Sequence, residues 1–97
     1  MTIFAVTYRY TEDAETRDRV RPEHRDYLRE LADQGFVLLS GPCGPSEAPG
    51  ALLLFRAEDK DQIAQLVAKD PFMANGVIAE TTITEWEPVI GPLLPAL

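Results

Sequence analysis

Ninety-seven residues make one domain with one modest core, and a net charge of −7 with a pI near 4.5 argues against nucleic-acid or anionic-membrane partners, which demand a basic footprint. No apolar run approaches the ~20 residues of a membrane span, and the N-terminus enters a strand-like pattern without the regions of a signal peptide. A single cysteine excludes an internal disulfide and suits a reducing compartment, so a cytoplasmic protein is expected.

Residues Ile3 to Tyr10 alternate Phe4, Val6, Tyr8 and Tyr10 against Ile3, Ala5, Thr7 and Arg9. The period of two and the aromatic and β-branched content predict a strand, central in its sheet because both faces begin apolar. Thr11 to Arg19 reads as a solvated connection with at most a turn of helix. A helix is predicted to open at Pro22, since proline suits the first helical position, where its missing N–H has no partner. Glu23 then complements the helix dipole, and Gly35 supplies a left-handed cap after Gln34. His24, the only histidine, falls on the stripe formed by Val20, Leu28 and Leu31, so its imidazole is expected to point inward near the helix start. On this pattern alone, His24 is either a core histidine satisfied by backbone or a proton-transfer group at the mouth of the core.

Phe36 to Ser40 and Ala51 to Arg56 are short apolar runs, predicted as strands covered on both faces. Between them, Gly41 to Gly50 holds three prolines and three glycines, which excludes regular structure and makes the pair a long-looped hairpin. Asp59 with Gln62 has capping-box spacing ahead of a helix whose inward face carries Ile63, Leu66 and Val67. Asp70 continues that face at four residues past Leu66, and Pro71 ends the helix. Phe72 to Asn75 has room for one further turn, closed by Gly76, before a last strand from Val77 to Trp86. Val89 to Leu97 is an apolar, proline-punctuated tail that requires a cover. The chain thus divides into a domain over residues 1–87 and a tail over residues 88–97.

The order β-α-β-β-α-β fits the split βαβ of the α+β ferredoxin-like fold, with both helices on one face of a four-stranded antiparallel sheet. The other face would be bare and apolar, which implies a homodimer packed sheet to sheet. Two polar residues then point inward from the two helices, His24 and Asp70. A carboxylate that accepts the Nδ1 proton of a histidine fixes its tautomer and leaves Nε2 free as a base.

Arg21-Pro22-x-His24, Ser40-Gly41-Pro42 closing the second strand, and Asp70-Pro71-Phe72 followed by Gly76 together resemble the YciI-like family. The likeness covers the chain to about Trp86. It implies a dimeric α/β barrel with a histidine–aspartate site, the catalytic roles falling on His24 and Asp70. Some relatives are dehydrochlorinases of chlorinated aromatic-ring metabolites, and the fold also houses muconolactone isomerases. Among substrate-binding candidates, Arg21 is placed to hold an anionic group or to form an exposed salt bridge. Tyr8 is a core aromatic or a pocket wall. Ser40, Gly41 and Phe72 lie within the motifs themselves. Cys43 stands in a Gly/Pro loop without a second histidine, which disfavours a thiol nucleophile. One histidine with scattered carboxylates makes no metal site, and no phosphate-binding glycine loop occurs, so no cofactor is expected. The function expected is cofactor-free proton transfer on a small oxygenated ring or lactone, with backbone N–H groups near Gly41 steadying an oxyanion. The alternative is a dimeric module that binds a small molecule without turning it over.

Overall fold

The computed structural model describes residues 1–97. In chain order the elements are β1 (Thr2–Tyr10), α1 (Ala14–Asp33), β2 (Val37–Pro42), β3 (Gly50–Ala57), α2 (Lys60–Ala68), α3 (Pro71–Ala74) and β4 (Ile78–Glu85), with a 3₁₀ turn at Leu94–Ala96. The strands form one antiparallel sheet in the order β2-β3-β1-β4, the ferredoxin-like arrangement. No helix is long and apolar enough to cross a membrane.

β1 is central, as its two apolar faces predict, and alternation decides what it buries. Phe4, Val6 and Tyr8 turn toward the helices with Leu53, Phe55 and Ala57 of β3, while Leu28 and Leu31 of α1 and Ile63 and Val67 of α2 close the core from above. Half of the capping box at α2 forms: Gln62 N–H donates to Asp59 Oδ1 at 2.8 Å, while Gln62 Oε1 reaches past the cap and accepts from the Glu58 N–H at 2.8 Å. Gly35, at φ 86°, ends α1 in a Schellman turn in which Phe36 N–H donates to Leu31 O at 2.9 Å and Gly35 N–H to Ala32 O at 3.0 Å.

Two expectations are corrected. α1 opens at Ala14, not Pro22, because Asp13 caps it by accepting from Thr16 N–H at 3.1 Å. Pro22 is therefore interior, where it removes one backbone hydrogen bond that the helix tolerates while Val20, His24, Leu28 and Leu31 hold its apolar stripe in the core. His24 consequently lies midway along α1, not in its first turn. The second correction concerns Asp70, which does not continue the α2 face: α2 ends at Ala68, and Asp70 is the N-cap of α3. β2 and β3 carry apolar residues on both faces, and within one chain the helices cover only one of them. Leu39 and Leu52 stay 60% and 49% exposed on the side of the sheet away from the helices. β2 is an edge strand, and its register slips between Val37 and Leu39.

The tail folds back toward that open face. Arg56 donates to the carbonyl of Leu97, and Leu94 and Leu97 are half-buried.

Candidate active site

Asp70 is the most buried polar group in the chain, with no exposed surface, and its position follows from Pro71. A residue before proline is driven to extended backbone, and Asp70 adopts φ −63° and ψ 128°, the conformation of an N-cap. Its carboxylate accepts the Phe72 N–H at 2.9 Å and so starts α3. The same carboxylate accepts the Tyr8 hydroxyl at 3.0 Å and receives Nδ1 of His24 at 2.8 Å to Oδ1 and 3.0 Å to Oδ2. A carboxylate can only accept, so Nδ1 carries the proton in this contact, and the tautomer so selected puts the free lone pair on Nε2.

Phe72 stacks on the His24 ring with centroids 3.9 Å apart and planes 7° off parallel, and Tyr10 meets Phe72 edge-on at 5.3 Å. Val20, Phe72 and Val77 form a small second core beneath this aromatic wall. The ring of His24 is thus fixed on one nitrogen and one face. Its Nε2 makes no hydrogen bond within the protein and is not sealed from the adjoining cavity.

That cavity, about 670 Å³, lies between α1 and the β2–β3 hairpin. Arg21, His24, Ser40, Gly41 and Phe72 all line it. Tyr8 does not. Its side chain is buried behind the imidazole with its hydroxyl on Asp70, which corrects the pocket-wall alternative. Burial, reinforced by the charge of Asp70, pushes the Tyr8 phenol far above its usual value, so it stays a neutral donor. Tyr10, which does line the cavity, is pushed up to about 12 by burial and then by Asp70, with Arg17 pulling the other way. No three His, Cys, Asp or Glu side chains gather where they could hold a metal ion.

The sequence reading missed two contributors. The Arg17 guanidinium lies 5.5 Å from the centre of the Tyr10 ring and enters the cavity wall, but a helix begun at Pro22 leaves Arg17 in a loop. Tyr10, read only as a strand residue, carries an unpartnered hydroxyl beside Phe72.

The family profile of the YCII-related domain matches residues 1–87. No curated protein matches the chain. Among solved structures, one similar fold is 5-chloro-2-hydroxyhydroquinone dehydrochlorinase (TftG) from Burkholderia phenoliruptrix AC1100 in complex with 2,5-dihydroxybenzoquinone. It has a TM-score of 0.75 and 24% identity, covering 88% of this chain and 93% of that one. Protein Atu4242 from Agrobacterium tumefaciens has a TM-score of 0.59 at 12% identity, covering 92% of this chain and 94% of that one. An antibiotic biosynthesis monooxygenase also reaches 0.59, at 13% identity, covering 93% and 100%. At these identities the likeness is one of fold.

Proposed function

The chain belongs to the YCII-related domain family, and from that premise we propose that it is a small cofactor-free enzyme of the cytoplasm that moves a proton on a cyclic, oxygenated metabolite. The observation that carries this reading is the His24–Asp70 pair, locked by Tyr8 and Phe72 with Nε2 left open to the cavity. His24 is the base. Its Nε2 takes a proton from a ring carbon beside a carbonyl, or from a ring hydroxyl, and the electron pair moves onto the carbonyl oxygen. Asp70 orients the imidazole and stabilises the imidazolium that forms. Ser40 and Gly41 line the same space, and the Ser40 hydroxyl, which makes no hydrogen bond within the protein, is the donor offered to the developing oxyanion.

The collapse of that oxyanion has two outcomes with the same equipment. If a β-positioned halide departs with the electron pair, the net change is loss of hydrogen halide. If the imidazolium returns its proton to another carbon, the change is isomerisation. The dehydrochlorinase named among the similar structures favours the first. The enzyme works as a homodimer, since the open apolar sheet face at Leu39 and Leu52 suits a second copy.

The test is chloride release from chlorinated hydroxyhydroquinones, and proton relocation on small unsaturated lactones, by wild type and His24→Gln. Turnover is expected to fall by about 10²–10⁴-fold in the variant while its circular dichroism spectrum is unchanged. A variant that turns over as fast as wild type removes His24 from the chemistry. A wild type that binds such rings without converting any of them is a binding module.

A further inference from the structure

α1 repeats arginine at every fourth residue, Arg17, Arg21, Arg25 and Arg29, and all four line the cavity that holds His24. Four-residue spacing stacks these side chains along one side of the helix, where like charges repel and weaken it. A local conflict of this kind in an otherwise consistent element marks a functional surface. Asp18 and Asp26 relieve part of the strain, at 2.8 Å from Arg21 and 3.1 Å from Arg29, but neither belongs to the cavity wall. Glu47 is the sole acid there. In a chain of net charge −7, the wall therefore sets four guanidinium groups against one carboxylate. Such a lining focuses a positive field into a concave space.

The four are not equally committed. Arg29 is 71% exposed and paired, a rim residue. Arg17 donates to the Thr11 carbonyl at 3.0 Å and lies over Tyr10. Arg21, one turn before His24, is only 36% exposed and spends part of its five-donor fork on Asp18. Arg25 follows His24 directly and enters no ion pair. Arg21 and Arg25 thus flank the base with donors to spare, while Phe72 and Tyr10 supply a flat apolar wall.

We propose that the cavity selects an anion, a small planar ring acid whose carboxylate or ionised ring oxygen is held by Arg21 and Arg25 while its reacting atom faces Nε2 of His24. The pose at Nε2 rests on the proton-transfer reading, whereas the charge preference stands on the arginine stripe alone.

The lone histidine makes the test direct, because the imidazole C–H signals in a proton spectrum report His24 and nothing else. Titration with benzoate should move them and saturate at an affinity about tenfold above that of the neutral isostere benzamide. Arg21→Gln and Arg25→Gln should each weaken benzoate about tenfold and leave benzamide within about twofold. Equal affinities for the two probes overturn the proposal. So does benzoate binding that neither substitution weakens, or a His24 signal that benzoate never moves. The proton-transfer reading fails separately, if His24→Gln keeps full turnover; that result leaves benzoate selectivity untouched. Loss of selectivity with the His24 dependence intact removes the anion and keeps the base.

Discussion

The Tyr8 hydroxyl and Nδ1 of His24 converge on one oxygen, Asp70 Oδ2, each at 3.0 Å. A strand in the middle of the sheet and a helix above it are therefore tied to the same buried charge. Tyr8 acts through Asp70 and does not reach the cavity, so its contribution is to hold the carboxylate that holds the base. Replacement by Phe keeps the packing and removes one of three donors. Tyr8→Phe should lower stability by about 1–3 kcal/mol in urea unfolding. It should lower kcat about tenfold with KM nearly unchanged, the pattern of a residue that serves the transition state only. A kcat equal to wild type would reduce the Tyr8–Asp70 bond to a structural tie.

Stability should decline in alkali because of Tyr8 and Tyr10. Both phenols are raised above their ordinary value of 10.0 by burial and then by Asp70, Tyr10 to about 12. From about pH 10 upward the unfolded chain releases protons that the folded chain still holds, so the contribution is complete below about pH 10 and is lost as pH rises. The slope approaches at most about 1.4 kcal/mol per pH unit for Tyr8 once the unfolded phenol is fully ionised, and is smaller for Tyr10, which is partly exposed and screened by solvent. Urea midpoints compared at about pH 9 and about pH 11 should fall in wild type and fall less in Tyr8→Phe, which has one such group fewer.

Much of this site is legible from spacing. His24 and Asp70 are 46 residues apart. His24 interrupts the apolar stripe of α1, where a polar residue must find a partner. Asp70 instead lies beyond the end of α2 at Ala68 and is turned inward by Pro71 as the cap of α3, so its period on α2 is the wrong reason for the right placement. Tyr8 sits on the same strand face as Phe4 and Val6, but nothing in a period of two says which atom a hydroxyl will meet. Pro22 hid more. Proline's preference for a first turn is real, but Asp13, by accepting from Thr16 N–H, starts the helix two turns earlier, inside a stretch whose charges read as a solvated connection. With those turns went the four-residue arginine repeat, which is plain once the helix begins at Ala14. The register slip between Val37 and Leu39 has no sequence mark at all, being settled by how the edge strand meets β3.

Gly50 tests how closely β1 and β3 must approach beside the site. It pairs with Arg9, and a Cβ built on it would collide with the Tyr8 carbonyl oxygen. That obstacle is backbone in the centre of a sheet and cannot swing aside. Gly50→Ala should cost about 1–3 kcal/mol in thermal or urea unfolding and, by displacing Tyr8 from Asp70, reduce turnover in the fraction that folds. An unaltered unfolding midpoint would mean that the two strands separate more easily than their hydrogen bonds suggest.

The last prediction concerns the open side of the sheet. Leu39 faces Leu54 and Gly41 faces Leu52 across β2 and β3, so Leu39, Leu52 and Leu54 share one face, opposite the helices. Leu39 and Leu52 are 60% and 49% exposed, and Trp86 is 43% exposed at the end of β4. The tail shields only a part, through Leu94, Leu97 and the contact of Leu97 with Arg56. A second copy is the occupant this surface fits. A carboxylate placed at its centre would be buried without a partner in the dimer and fully solvated in the monomer, so Leu52→Glu should shift the equilibrium by about 3 kcal/mol or more toward monomer. Light scattering should show wild type at twice the chain mass and Leu52→Glu at the chain mass. Removal of residues 89–97 should lower the melting temperature, because it uncovers apolar surface and frees Arg56. Leu52 does not line the His24 cavity, so any loss of turnover in Leu52→Glu would come from the lost partner and not from the wall of the site. A wild-type chain that scatters as a monomer at about 10 μM would leave the face to another occupant.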